Sequence, residues 1–204
     1  MTPLLALLIA YLLGAIPFGY LLVRLTTGSD VRSSGSGNIG ATNVLRTTGR
    51  AAAIATLLLD AAKGYAAVWI AGRLTGEEPI WMSLAALAVM AGHAFPVFLG
   101  FKGGKAVASF IGAFLCLTPL ALLCVLVVFL VVVAWSRHIS LGSICAAATF
   151  PLAVWIVQHP QLPVFFASLI AGAFVILRHR ENIHRLRRGT EHSFSFNAHS
   201  GTAR

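Results

Sequence analysis

The chain has 204 residues, of which 58% are hydrophobic and only 10% are charged, with a mean hydropathy of +0.85. A soluble domain carries roughly 25% charged residues, so this composition excludes an ordinary water-soluble protein. The formal net charge of +9 suits an anionic ligand or an anionic membrane surface. A basic nucleic-acid module would not devote most of its length to apolar runs, and no nucleic-acid partner is expected.

In chain order, residues 4–25 form a first apolar run, long enough for the ~20 residues a bilayer span needs. Pro17, with Gly14 and Gly19 nearby, predicts a kink in it. The run lacks a basic start and a small-residue cleavage site, so it reads as a retained span. A polar segment follows over residues 26–50. The second span, 51–72, carries Asp60 and Lys63. Spaced i, i+3 on one helix face, they can neutralise each other in the bundle interior as a structural ion pair. A short loop with Glu77 and Glu78 leads to a third span, 80–101, which holds His93 and Pro96 near its far end. The run 106–135 is one very long helix or two short ones broken at Thr118-Pro119. Further spans cover 139–157 and 162–177, and a basic tail begins at Arg178. Cys116, Cys124 and Cys145 all fall inside apolar runs without paired metal-ligand spacing. They read as buried small hydrophobes, and no metal site is expected.

Loop charge decides the number of spans, because cytoplasmic loops are enriched in Lys and Arg. With the 106–135 run broken at Pro119, there are seven spans and the N-terminus lies outside. Of the 15 basic residues, all but the intramembrane Lys63 and the outward Arg73 then fall on the cytoplasmic side. A single span there would send either the tail or the first polar segment outside. The expected fold is therefore an all-α integral membrane protein with seven transmembrane helices and a cytoplasmic C-terminus.

That topology brings three unusual segments to one membrane face. The first is residues 35–49, G-S-G-N-I-G-A-T-N-V-L-R-T-T-G. Arg46 there offers a planar fork suited to phosphate, and Ser36, Asn38 and Asn43 can act as neutral donors; a flexible linker is the alternative. The second is residues 92–108, with G-F-K-G-G-K-A-V-A at its end. Adjacent glycines leave backbone amides open, and a helix starting just after them aims its positive end at the loop, which suits phosphate. A turn whose lysines reach lipid headgroups is the alternative. The third is residues 178–191, R-H-R-E-N-I-H-R-L-R-R-G-T-E. A basic run beside the last span can be a headgroup anchor. Yet His179 and Asn182 share a helix face at i, i+3, and Glu181 sits i, i+4 before Arg185 in the favourable order for a brace.

Together these segments, with L-L-L-D-A-A-K-G at residues 57–64 between them, resemble the bacterial acyl-phosphate:glycerol-3-phosphate acyltransferase family (PlsY). The likeness runs to Glu191, so the expected organisation is one membrane-embedded domain over residues 1–191 and a short cytoplasmic tail over 192–204. What the resemblance implies is a seven-span enzyme of the bacterial inner membrane with its active site on the cytoplasmic side. It would move a fatty acyl group from acyl phosphate to the sn-1 hydroxyl of glycerol 3-phosphate, giving lysophosphatidic acid and phosphate. Partners would be these two substrates and membrane lipid, with a functional link to the enzyme that makes acyl phosphate, and no cofactor. The H-x-x-x-x-D motif of the soluble and monotopic acyltransferases is absent, since His93 meets Phe98 at that spacing. One departure stands out. Where the family usually has K-G-G-K-G-V-A-T, this chain has Ala106 and Ser109, and Ala106 is expected to begin the helix, where alanine is favoured.

The expected catalytic set is Ser36, Arg46, Lys105, His179 and Asn182. Expected substrate-binding residues are Gly37, Asn38, Asn43, His93, Lys102, Gly103, Gly104 and Ser143. Arg46, Lys105 and Lys102 would supply positive charge, and the Gly103 and Gly104 amides would act as donors. His179, with Asn182 as partner, would activate or orient the hydroxyl, unless substrate phosphate takes the proton. Ser36 is a phosphate or hydroxyl contact rather than an acyl-enzyme nucleophile, because no Ser–His–Asp arrangement is evident. Ser140 and Ser143 are weaker candidates for lining the site. A transporter or flippase for a small phosphorylated anion is the rival class, but the second half of the chain does not repeat the first.

Overall fold

The computed structural model describes residues 1–193. The expected tail, 192–204, lies almost wholly outside the described residues. Those residues form α-helices, two 3-10 turns and no strand. The helices are α1 (Thr2–Ala15), α2 (Phe18–Thr27), α3 (Ala41–Thr47), α4 (Arg50–Thr75), α5 (Pro79–Ala94), α6 (Val107–Leu117), α7 (Pro119–Ser136), α8 (Ile139–Gln158), α9 (Leu162–Arg178) and α10 (Arg180–Arg187).

Five stretches are long and apolar enough to cross a bilayer: Thr2–Thr27, Arg50–Thr75, Pro79–Leu99, Pro119–Ser136 and Ile139–Gln158. A sixth arises if α9 and α10, bent by 55° at His179, are taken as one. The 106–135 run does break at Thr118-Pro119, and its first part, α6, is an apolar helix of 11 residues. The reason is local. Pro119 has no amide for the helical ladder and its ring restricts Thr118, so one helix ends and proline opens the next.

Pro17 interrupts the helix of the first span as expected, leaving Ile16 extended between α1 and α2, while Thr2–Thr27 remains one membrane-length stretch. The Lys63 ammonium, from α4, donates to the Ile16 carbonyl at 2.7 Å. Inside the bundle α1 packs on α4 and α5, α4 on α6, α7 on α8, and α8 on α9. The α4–α6 crossing is close enough that a β-carbon at Gly112 would lie 1.8 Å from the Ala61 carbonyl oxygen. Small residues at such crossings let backbones approach where lipid offers no hydrophobic drive between helices. Phe110, Phe114 and Phe150 form the aromatic centre, with ring centroids 4.7–4.9 Å apart. Leucines, valines and Trp155 on the outer faces are exposed, as expected of a surface that meets acyl chains.

The polar segment after α2 is no linker. Val23, Val31, Ile39, Val44 and Ala53 bury together into a second, smaller core, which seats residues 31–47 as a cap over one end of the bundle.

Candidate active site

Asn43 organises the cap. Its amide nitrogen donates to the carbonyls of Val31, Ser34 and Asn38, and its Oδ1 accepts the Ser36 amide at 2.8 Å. A side chain with that many internal partners is a framework residue. This differs from the expected ligand donor, because Asn43 is only 1% exposed and its hydrogen-bonding groups are already engaged. Gly35 must lack a side chain, since φ is +62° and a β-carbon there would strike Asn43 Oδ1 at 2.2 Å. Asn38 Oδ1 accepts the Gly40 amide, while Ser36 and Gly37 stand exposed on the rim. Arg46 projects from α3 and is exposed.

The glycine loop is built differently from the expectation. The Gly103 and Gly104 amides donate to the carbonyls of Ala94 and His93, at 3.2 and 3.0 Å. They are therefore spent folding the loop back onto the end of α5 and are not open donors. The loop's own carbonyls are held by Arg178, whose guanidinium donates to Gly104 at 2.9 and 3.1 Å and lies 5.0 Å over the Phe95 ring. The glycines are needed for close approach. A β-carbon at Gly104 would sit 2.2 Å from His93 Nε2, and one at Gly103 would sit 2.2 Å from the His93 carbonyl. Ala106 does not begin α6 as expected. It adopts φ +62° just before the helix, fully buried, a conformation that costs an L-residue roughly 1–2 kcal/mol. Lys105 thus leaves the loop immediately before the helix, and Lys102 is exposed.

The third segment supplies a carboxylate that the sequence reading did not assign to the site. Glu191 Oε1 accepts from Ser140 Oγ at 2.9 Å and from Asn182 Nδ2 at 2.7 Å, and its Oε2 accepts from Arg185 Nε at 2.7 Å. Its side chain is 3% exposed, and these three bonds hold its carboxyl below the usual range against the cost of burial. The expected Glu181–Arg185 brace gives way to this pair; Glu181 is exposed and adds a lesser pull on the Lys105 ammonium. Asn182 is buried, and its Oδ1 has no partner among the described residues. His179 Nδ1 lies 2.7 Å from the Val175 carbonyl. A carbonyl can only accept, so Nδ1 carries the proton and Nε2 of the neutral ring is an acceptor without a partner among the described residues. Ser143 donates to the Ile139 carbonyl one turn from Ser140.

These pieces meet electrostatically. Burial pushes the Lys105 ammonium down to about 8; Glu191 opposes that fall, while Arg185 and Arg46 add to it. Glu191 and Arg185 also act on Arg46, and Lys105 acts on His179. Arg46, Lys105, His179, Asn182, Arg185 and Glu191 are therefore one cluster, drawn from all three segments. His93 stands apart. It is 3% exposed and faces Asp60 below the loop, so the structure places it behind the glycines instead of among the exposed groups. The Asp60–Lys63 pair forms as expected, at 2.7 Å. Chemically, a cluster of cations around the Glu191 carboxylate, with a lone-pair imidazole nitrogen and an amide oxygen unpartnered among the described residues, can hold phosphate groups and accept a hydroxyl proton.

Known proteins resemble this chain in sequence and in fold. The family model described as glycerol-3-phosphate acyltransferase matches residues 4–189. The glycerol-3-phosphate acyltransferase of Geobacter sulfurreducens is 50% identical over 91% of this chain and 94% of its own. That of Trichlorobacter lovleyi is 52% identical over the same shares. Among solved structures, the crystal structure of PlsY, an integral membrane glycerol 3-phosphate acyltransferase, in its glycerol 3-phosphate form superposes with a TM-score of 0.90. It is 39% identical and covers 96% of both chains. The lysophosphatidic acid form gives 0.88 at 38% identity. By sequence and by fold, the chain is an integral membrane protein of the glycerol-3-phosphate acyltransferase family.

Proposed function

We propose that this chain transfers a fatty acyl group from acyl phosphate to the sn-1 hydroxyl of glycerol 3-phosphate, releasing lysophosphatidic acid and inorganic phosphate. The observation that carries the reading is the convergence of Arg46, Lys105 and Arg185 on the Glu191 carboxylate, together with His179, whose Nε2 is left as an acceptor among the described residues. Two phosphate groups must be held at once, one on the acceptor and one on the leaving group, and three cations in a partly buried setting suit that need. The acceptor hydroxyl oxygen attacks the acyl carbonyl, the bond from carbonyl carbon to phosphate oxygen breaks, and the hydroxyl proton leaves through His179 or through substrate phosphate. The unpartnered Asn182 Oδ1 is an acceptor for a glycerol hydroxyl. Ser36 and Gly37, on the rim, offer further polar contact to the entering phosphate. Neither a metal nor a cofactor enters this scheme.

The remaining organisation belongs to the same reading. Residues 1–191 form the single domain, with seven spans, the N-terminus outside, and the site at the cytoplasmic face of the bacterial inner membrane. The link to the enzyme that makes acyl phosphate follows from the donor. The test is release of phosphate from acyl phosphate by purified protein in detergent, with and without glycerol 3-phosphate. Release that depends on glycerol 3-phosphate is expected, with lysophosphatidic acid formed in equal amount. Transfer from acyl-CoA with none from acyl phosphate would overturn it.

A further inference from the structure

Below the glycine loop lies a charged cluster that the proposed chemistry leaves unused. Asp60 and Lys63, each 2% exposed, meet at 2.7 Å on adjacent turns of α4. Lys63 also donates to the Ile16 carbonyl at the break of the first span. The Asp60 carbonyl accepts the hydroxyl of Ser109, in the first turn of α6, at 3.2 Å. His93 Nδ1 stands 3.6 Å from the Asp60 oxygen that Lys63 contacts. The other edge of the same imidazole packs on Gly104, too closely to admit a β-carbon. The His93 carbonyl takes the Gly104 amide.

One i, i+3 pair therefore registers three chain ends: the α1–α2 break, the end of α5 and the start of α6. A buried ion pair is weak evidence for stability, because desolvation offsets the attraction and an apolar replacement is often neutral. Its position says more. The only covalent path from α5 to α6 is the loop that carries Lys105, and both ends of that loop rest on this pair.

We propose that Asp60, Lys63 and His93 form a positioning unit that fixes the seat of the 100–106 loop, and through it the reach of Lys105 toward phosphate. None of the three touches substrate. The carboxylate holds the ammonium beside it and faces the imidazole edge, and the ring is the shim on which Gly104 lies. Losing the shim lets the loop sink or tilt, which withdraws Lys105 without unfolding the bundle. The proposal rests on the site assigned above.

The experiment compares His93→Gln with the neutral pair Asp60→Asn/Lys63→Met, and with Lys63→Arg as the conservative control. Each is purified in detergent and assayed for phosphate release as glycerol 3-phosphate is varied, with thermal unfolding followed on the same samples. His93→Gln and the neutral pair are expected to raise KM for glycerol 3-phosphate at least fivefold, with melting temperatures close to that of the unaltered protein. Lys63→Arg is expected to keep KM within twofold. An unchanged KM in His93→Gln, or a rate loss that tracks loss of folded protein, overturns the proposal. Arg46→Ala and Lys105→Ala run alongside to separate the two ideas. Normal rates in both would sink the site itself, whereas losses there beside a normal His93→Gln would sink only the positioning unit.

Discussion

The depressed titration of Lys105 yields a prediction with a definite sign. Its fall to about 8 corresponds to about 3 kcal/mol against the charged form. If the ammonium holds phosphate, kcat/KM is full at neutral pH and falls as pH rises through about 8. Bound phosphate favours the ammonium, so the corresponding limb of kcat, which reports the complex, lies at higher pH. Glu191→Gln removes the foremost influence that keeps Lys105 charged. The limb should therefore move to lower pH, by one unit for each roughly 1.4 kcal/mol of attraction lost. Lys105→Arg gives the opposite signature: a guanidinium stays charged throughout, and the alkaline limb disappears even where the rate is lower. The assay is initial-rate phosphate release across buffers from about pH 6 to pH 9.5, bracketing that limb. A limb at the same pH in the unaltered protein and in both variants would refute the assignment of Lys105 to substrate phosphate.

Other outcomes follow from the same geometry. Ser36→Ala, Arg46→Ala and His179→Ala should each lower kcat/KM while leaving the melting curve nearly unchanged, with Arg46→Ala losing on the order of 100-fold, the usual scale for one electrostatic donor; full activity in Arg46→Ala would contradict the cluster. Asn43→Ala removes the four bonds that tie the cap together, at about 1 kcal/mol apiece net. Hydrogen exchange should quicken across residues 31–47 and stay slow in α4. Ala106→Gly relieves left-handed strain of roughly 1–2 kcal/mol but gives up a buried methyl worth about 0.8 kcal/mol, so stability and rate should stay near their starting values. Ala106→Val, β-branched at φ +62°, should lose both; equal tolerance of glycine and valine would mean that the backbone there is not left-handed.

The span pattern was open to reading because lipid imposes it one run at a time. Apolar length, the two prolines at 17 and 119, and the i, i+3 spacing of Asp60 and Lys63 are local signals, and each reappears in the structure. The wiring of the site is long-range, and there composition misleads. Arg178 at the end of a last span resembles a headgroup anchor, but its partners are 74 residues away. Glu191 resembles a counter-charge in a basic tail, yet it reaches Ser140 across 51 residues. The Gly189 turn, φ +67°, brings the chain round to make that contact. The adjacent glycines suggested open amides for phosphate. Sequence could not distinguish that from glycines required because an imidazole and a carbonyl press against their α-carbons.

The break at Pro17 bears on how the protein is put together. Neither partner of the contact between Ile16 and Lys63 is comfortable alone in hydrocarbon: one is the frayed end of a helix, the other an ammonium. Asp60 cancels the ammonium's charge within the same hairpin. The first two membrane segments therefore complete each other: the Ile16 carbonyl finds its donor only where the second segment lies beside the first.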